Sequence, residues 1–325
     1  MNHLDNLSKS VKTVITSKTI IIIILITLLV LGVYSFLFLE TTGISNLIKE
    51  YHSEYVAFSA KFDAEYAINS SEQDFFANLA KDSKREEAFK AEYKMDISNL
   101  NMFLIVIYSI FGVVVIIPIL IYLICMQYCA IVHEITNKKT NLKSISDTTS
   151  KIISKYIRTI VLILLLVIAI ITVLILLFLS LGVISLLGKI GMIIGLIMIV
   201  ITILAIPFLI IFLSIKLFFI YPIIFMEQGN ARDSIKKSFE FSKGKVKKIL
   251  LIGLIILLIN VFTIIISNYS NSAINNYFIS EGIIRYGFIV ISFILSFITS
   301  IISMISGTYL FNSYLILKKD LNVKN

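Results

Sequence analysis

Two cysteines and a histidine, Cys125, Cys129 and His133, recur at four-residue steps and would form one row along a helix. Thiol and imidazole groups are common ligands of soft metal ions. Neighbouring members of the row could share an ion, but residues eight apart are separated by ~12 Å along a helix axis, so one ion cannot take all three. Since cysteine commonly serves as a small buried apolar residue, we predict no metal and no cofactor here.

His133 and Glu134 also begin a segment, His-Glu-Ile-Thr-Asn, that starts like the zinc-protease helix motif. That motif needs a second histidine four residues after the first, so that both imidazoles face one ion. Asn137 stands at this position. The sequence also lacks a Gly-rich phosphate loop, a serine nucleophile elbow and a dinucleotide-binding fingerprint. We therefore predict that the chain is not an enzyme.

The segment 221–248 concentrates charge between two apolar runs. After a Gly229-Asn230 break, apolar residues follow at four-residue steps between basic ones. This spacing predicts a short amphipathic basic helix over 231–244, lying in the plane of the cytoplasmic membrane interface. Candidate contacts to anionic lipid headgroups or to a protein partner are the charged residues Glu227, Arg232, Lys236, Lys237 and Lys243.

The chain has three prolines, and each lies inside or at the end of an apolar run: Pro118, Pro207 and Pro222. A proline in a helix removes one backbone hydrogen bond and bends the helix. The carbonyls released in this way must find partners in neighbouring helices or water. We treat all three as candidate hinges, which either shape a helix bundle or line a cavity in it.

The elements that carry these residues are long apolar runs. The chain is 58% hydrophobic and 15% charged, whereas soluble domains are about half apolar and about a quarter charged. Six stretches lack Asp, Glu, Lys and Arg over lengths sufficient to cross a ~30 Å hydrocarbon core. We predict an all-α membrane helix bundle with transmembrane helices at 19–39 and about 102–126, 159–187, 190–216, 249–268 and 286–317.

Positive charge predicts the orientation of these helices. Of the 29 Lys and Arg residues, about 20 fall on one side of the predicted spans, which the positive-inside rule assigns to the cytoplasm. This predicts an N-in/C-in, multi-pass protein of the cell membrane, with residues 1–18 as a cytoplasmic N-terminus. Basic loops beside spans favour membrane lipids as partners and not nucleic acid.

The segment 40–98 is the one sizeable polar region between predicted spans. Aromatic and apolar residues recur at three- and four-residue steps up to Tyr66, and a second helix is predicted over about 72–95. We predict an extracellular helical hairpin, whose aromatic faces either pack on each other or dock a protein partner. Asn69 and Asn268 fit the N-glycosylation acceptor pattern on the same side.

A family resemblance rests on the spacing of Tyr221-Pro222, Glu227, Ala231, Lys237-Ser238 and Lys243-Gly244. This pattern resembles six-helix prokaryotic membrane proteins similar to the membrane domain of glycerophosphoryl diester phosphodiesterases. The resemblance implies a six-helix membrane fold and covers roughly the last four spans. The hairpin at 40–98 departs from the family pattern. The sequence contains no soluble phosphodiesterase domain, so that activity is not implied.

These observations predict a membrane protein with a structural, regulatory or accessory role. The alternative is a transporter or lipid-translocating protein with a cavity among the proline-kinked helices. Serine and threonine residues of the last span would line such a cavity, or else join helices. The spans carry no acidic residue at mid-depth, which disfavours proton-coupled transport. The oligomeric state stays open.

Overall fold

The computed structural model describes residues 3–67, 75–93, 99–138, 140–185, 189–279 and 282–322. Throughout these residues the regular structure is helical, without strands. Six helical segments are long and apolar enough to cross a membrane, which confirms the predicted all-α fold with six spans. The helices are α1 (His3–Thr16), α2 (Lys18–Thr41), α3 (Ile44–Ala67), α4 (Phe75–Glu92), α5 (Asn99–Phe111), α6 (Ile117–Ile135), α7 (Leu142–Ser185), α8 (Lys189–Leu217), α9 (Ile220–Glu227), α10 (Ala231–Phe241), α11 (Val246–Ile279) and α12 (Gly282–Asn322).

The apolar surface of these helices faces outward. At most 17% of the most apolar window of any candidate span is buried inside the protein. Large side chains such as Phe208 and Leu29 are 73% and 63% exposed. A soluble protein would leave such surface in contact with water, whereas lipid tails solvate it without penalty. The chain is thus a multi-pass membrane protein.

The helix α7 is much longer than the span predicted at 159–187. It begins at Leu142, where the Asn141 side chain accepts a hydrogen bond from the Ser144 backbone N–H at 2.7 Å, an N-cap that satisfies one free donor of the first turn. Its 44 residues correspond to roughly 66 Å, about twice the thickness of the hydrocarbon core. The basic segment before the predicted span therefore continues the same helix.

The helix α11 also passes the predicted end of its span at 268 and continues to Ile279. The Asn- and Ser-rich sequence beyond the predicted span is helical, and Ser270 within it has polar partners on α12. The Ser270 hydroxyl lies 2.9 Å from that of Ser292 and 3.1 Å from that of Ser296. The acceptor pattern at Asn268 lies within this helix, and Asn69 lies outside the described residues.

The chain divides into two compact units, and the first comprises 1–24, 121–264 and 300–325. In this unit α1 packs on α12 through polar side chains. His3 Nδ1 lies 2.7 Å from the Tyr309 hydroxyl, Asn6 donates to Ser313 Oγ at 2.9 Å, and a bond between Asn312 and Ser10 extends the series. These contacts hold the helix α1, residues His3–Thr16, against α12.

The second unit comprises 25–120 and 265–299 and contains the predicted hairpin. The helices α3 and α4 pack antiparallel around Phe89, which is 3% exposed. Its ring contacts Tyr51, Tyr55 and Phe58, with centroids 5.1–5.4 Å apart. Arg85 of α4 pairs with Asp63 at 3.2 Å. The aromatic contacts around Phe89 and the Arg85–Asp63 ion pair thus hold α3 and α4 together.

A π-helical turn at Gly112–Ile116 precedes Pro118, the second residue of α6. Such turns absorb a local mismatch in the helical hydrogen-bond ladder, and a proline, which lacks an N–H, creates one. Gly112 is buried against Tyr34, whose hydroxyl donates to the Tyr108 carbonyl at 2.9 Å. A Cβ at this position would overlap the Tyr34 hydroxyl, so any other residue requires the tyrosine side chain to shift.

The span that contains α8 and α9 is interrupted at a turn over Phe218 and Phe219. The Lys216 carbonyl, near the end of α8, accepts a hydrogen bond from Ser238 Oγ of α10 at 2.7 Å. Helix C-termini leave such carbonyls without partners in the helix. Ser238 and Ser234 are fully buried, so α10 packs through small residues that allow a close approach between helices.

We predict that Ser238→Ala lowers the free energy of unfolding by about 1 kcal/mol, because it leaves the Lys216 carbonyl, near the end of α8, without the donor that Ser238 supplies. The measurement is thermal unfolding of the purified protein in detergent. Ser8→Ala, at an exposed position of α1, is the matched control and should change stability by less than ~0.5 kcal/mol. Equal effects of both substitutions would contradict the capping role.

Candidate functional site

The candidate site is built around Glu227, the last residue of α9. A helix C-terminus carries partial negative charge and disfavours a carboxylate, so Glu227 needs compensating donors. Tyr314 and Lys318 of α12 both donate to Oε1, the latter from Nζ at 2.7 Å. Lys237 of α10 donates to Oε2 at 2.9 Å. The Glu227 side chain is 18% exposed and joins three helices.

The backbone after Glu227 is held by a second helix. Gln228 has a left-handed backbone conformation with φ 52° and ends α9. Its carbonyl accepts a hydrogen bond from Lys155 Nζ of α7 at 2.6 Å. A lysine that donates to the last carbonyls of a helix also complements the helix dipole. The end of α9 is therefore held by α7 through the Gln228 carbonyl and by α10 and α12 through the Glu227 side chain.

The predicted contact residues of 221–248 divide into two groups. Glu227 and Lys237 lie together in the ion pair just described. Arg232, Lys236 and Lys243 are exposed, and their side chains make no hydrogen bond or ion pair with the residues that the structure describes. The charged surface of α10 and the Glu227 cluster are thus separate features.

The Glu227 carboxylate raises the pKa of Lys237 above its ordinary value of 10.5, through the hydrogen bond first and the charge second. A raised lysine pKa stabilises the fold at all pH values below 10.5, and this contribution is lost as pH rises through the folded-state value. We predict that wild type loses more stability than Lys237→Gln between pH 9 and pH 11.5. Thermal unfolding across this range measures the difference, and parallel curves would contradict it.

A cavity of about 240 Å³ lies beside Glu227 in the first unit. Its polar wall carries Glu227, Lys318, Lys138 and the hydroxyls of Thr136 and Thr148. The other lining residues are Cys129, Val132, His133, Phe225, Met226, Gln228, Tyr314 and Leu315. The cavity is therefore polar and cationic on one side and apolar on the other.

The row of Cys125, Cys129 and His133 on α6 does not face a single site. Cys125 and Cys129 are buried free cysteines, and only Cys129 and His133 reach the cavity. His133 Nε2 lies 3.2 Å from the Thr148 hydroxyl. Among the described residues no three His, Cys, Asp or Glu side chains are placed to hold a metal ion.

The end of α6 explains why the His133-Glu134 segment differs from a zinc-protease helix. Asn137 has a left-handed backbone conformation with φ 53°, and the Lys138 N–H donates to the His133 carbonyl at 2.9 Å. This is a C-terminal capping motif, whose left-handed position is most often occupied by glycine and sometimes by asparagine. Glu134 accepts a hydrogen bond from Ser17 at 2.6 Å, so it joins α6 to the α1–α2 junction.

The three prolines occupy different settings. Pro118 follows the π-helical turn, whereas Pro207 is exposed inside α8, which continues through it. Pro222 is buried as the third residue of α9, where a helix needs no backbone donor. Pro207 and Pro222 do not line the cavity beside Glu227.

Sequence reasoning missed the two partners of Glu227 on α12, Tyr314 and Lys318. They stand four residues apart and thus on one helix face, which marks them as neighbours of each other but does not identify Glu227 as their partner. Tyr314 is 2% exposed, and its ring also packs 4.8 Å from that of Phe241. The cluster is best described as an anchored carboxylate beside a cationic cavity. No family model, curated protein or solved structure matches the chain.

Proposed function

We propose that the chain is a non-enzymatic, multi-pass protein of the cell membrane that acts as a structural, regulatory or accessory component of a membrane complex. The observation that supports this role is the use of Glu227. Three donors from α10 and α12 occupy its two oxygens. The carboxylate therefore joins helices, whereas a catalytic carboxylate would face a substrate. The polar contacts between α1 and α12 serve the same purpose.

The proposed surface for a protein partner is the hairpin of α3 and α4. Its aromatic side chains pack between the two helices, which leaves charged side chains such as Glu54 and Glu87 exposed. A partner would therefore meet an acidic, polar surface. Membrane lipids are the other proposed partners, through the basic residues near the ends of the spans.

The experiment compares the proteins that co-purify with wild type after gentle extraction with those that co-purify with a Glu54→Lys/Glu87→Lys variant. Reversing two exposed charges removes complementarity without unfolding the hairpin. Glu240→Lys, on the exposed face of α10, is the control. We expect a partner that is lost only from the hairpin variant, and deletion of 41–98 should abolish the same association. An unchanged set of partners in both would refute this surface.

The proposed orientation places α1 in the cytoplasm and the hairpin outside. Cys125 and Cys129 are the two cysteines of the chain and are buried, so replacing both by alanine gives a background for single-cysteine labelling. We predict that an impermeant maleimide labels Ser53→Cys in intact cells and labels Ser8→Cys only after permeabilisation. The reverse pattern would overturn the N-in orientation.

The alternative proposal is transport or lipid translocation, and one observation favours it. The α8–α9 span is interrupted at Phe218 and Phe219, and the far end of α9, at Phe225, Met226 and Glu227, lines the cavity. Transporters also build substrate sites from discontinuous helices. Reconstitution in vesicles with fluorescent phospholipids tests this proposal. Accelerated movement between leaflets, abolished by closing the cavity with Leu315→Trp, would support translocation, and vesicles indistinguishable from protein-free ones would count against it.

A further inference from the structure

We propose that the cavity beside Glu227 binds a phosphate group, which Lys138, Lys318 and the Thr148 hydroxyl would hold. This inference goes beyond the structural role proposed above, because joining the helices requires no ligand. It rests on the residues that line the cavity, on their charges and on the free donors among them.

The charge balance of the cavity favours an anion. Its wall carries two ammonium groups, Lys138 and Lys318, against one carboxylate, Glu227. That carboxylate is also paired with a third ammonium, Lys237, at 2.9 Å. A cation would therefore meet a net positive site, whereas an anion is attracted to it.

The donors in the cavity suit the oxygen atoms of a phosphate. The Lys138 side chain makes no hydrogen bond or ion pair to the part of the chain that the structure describes, so its three N–H groups are available. Lys318 uses one donor on Glu227 and keeps two. The Thr148 hydroxyl donates to the Ser144 carbonyl at 2.8 Å and lies 3.2 Å from His133 Nε2. It can donate to a ligand by rotating its hydrogen, in exchange for the bond to Ser144.

The size of the cavity limits the ligand. A volume of about 240 Å³ lies below the ~300–1,000 Å³ typical of sites for whole metabolites. It therefore fits a phosphate or a phosphate-bearing headgroup. The apolar wall formed by Val132, Phe225 and Leu315 is compatible with the first carbons of a lipid attached to that group. Free phosphate and a lipid headgroup share the same chemistry, and the experiment separates them.

The test uses the full-length protein and two probes. Equilibrium dialysis with radiolabelled inorganic phosphate at constant ionic strength measures the free anion. Thermal unfolding in phosphatidylcholine vesicles with and without phosphatidic acid measures the headgroup. Binding of the first probe identifies free phosphate as the source, and stabilisation by the second alone identifies the lipid.

The variants distinguish a built site from general surface charge. Lys138→Gln should weaken binding roughly tenfold, the loss expected for one charge-assisted hydrogen bond. Its unfolding temperature without ligand should match wild type, because the Lys138 side chain makes no hydrogen bond or ion pair among the described residues and the substitution keeps the backbone bond to His133. Lys151→Gln, an exposed lysine of α7 without a hydrogen bond or ion pair among the described residues, is the matched control and should change binding less than twofold. Thr148→Val should also weaken binding while the fold is retained.

Two results would overturn the proposal. One is the absence of binding of either probe to wild type. The other is an equal loss in Lys138→Gln and Lys151→Gln, which would show that the anion is attracted by surface charge alone. Neither result bears on the structural role of Glu227, which is tested separately by the stability of variants at that residue.

Discussion

Glu227→Gln is expected to lower the free energy of unfolding by about 2–3 kcal/mol, the largest effect of any single substitution in this cluster. The substitution keeps the shape of the side chain but leaves Lys318 and Lys237 without their counter-charge. Removing one partner of a fully buried ion pair costs about 3–5 kcal/mol. We expect less here because the Glu227 side chain is 18% exposed. Thermal unfolding in detergent should show a decrease of roughly 5 °C or more in Tm.

Two comparisons make this prediction specific. Glu240→Gln removes the same charge from an exposed position of α10 and should change stability by less than ~0.5 kcal/mol. The double variant Glu227→Gln/Lys318→Gln should lose less than the sum of the single variants, because the two residues contact each other. Similar values for Glu227→Gln and Glu240→Gln would show that the cluster does not stabilise the protein.

Gly112→Ala is the second substitution with a large expected effect, a loss of about 1–3 kcal/mol from overpacking. A Cβ at this position would overlap the Tyr34 hydroxyl and lie 3.0 Å from its Cζ atom. The tyrosine cannot move away freely, because it donates to the Tyr108 carbonyl and its ring packs near Phe38 and Phe111. The Tm of the variant in detergent measures the loss.

A matched pair of variants tests the origin of this loss. Gly32→Ala lies on the same helix as Tyr34, in open space, and should be neutral or stabilising by up to ~1 kcal/mol because alanine favours a helix over glycine. Tyr34→Phe removes the overlapping oxygen, so Gly112→Ala should cost less in that background than in wild type. An unchanged cost would place the strain elsewhere.

The six spans were predictable because each presents about 20 apolar residues, a signal that needs no knowledge of neighbouring helices. Helix ends were less predictable. In the structure α7 begins at Leu142 and α11 continues to Ile279. Polar segments with the hydropathy of a loop can continue a helix when a cap or a neighbouring hydroxyl supplies their hydrogen bonds. Asn141 and Ser270 are the residues responsible.

The sequence predicted residues 1–18 only as a cytoplasmic N-terminus, without any sign of the helix α1. Its buried residues include Asn6 and Ser10, which hydropathy assigns to the surface. A polar interface of this kind becomes visible only when its partners are known, and here they are Ser313 and Asn312 of α12.

The candidate site was predicted in part, since Glu227 and Lys237 were singled out together. The apolar row predicted for α10, which contains Ile235 and Phe239, is half-buried, and Ser234 and Ser238 are the fully buried residues of this helix. Close helix packing favours small side chains over large apolar ones. The pairing of Glu227 with Tyr314 and Lys318 spans 87 and 91 residues, and no local pattern reveals a contact at that separation.

The contacts of α12 have a consequence for biosynthesis. His3 and Asn6 emerge early from the ribosome, but their partners Tyr309 and Ser313 follow 306 and 307 residues later. Glu227 must likewise wait for Tyr314 and Lys318. Until α12 has been translated and inserted, His3 and Asn6 lack their partners on that helix, and Glu227 has Lys237 but neither Tyr314 nor Lys318. Such partly assembled chains are recognised by chaperones and proteases. The Glu227 cluster therefore reports the insertion of α12, because it can form in full only after that helix has packed against α9.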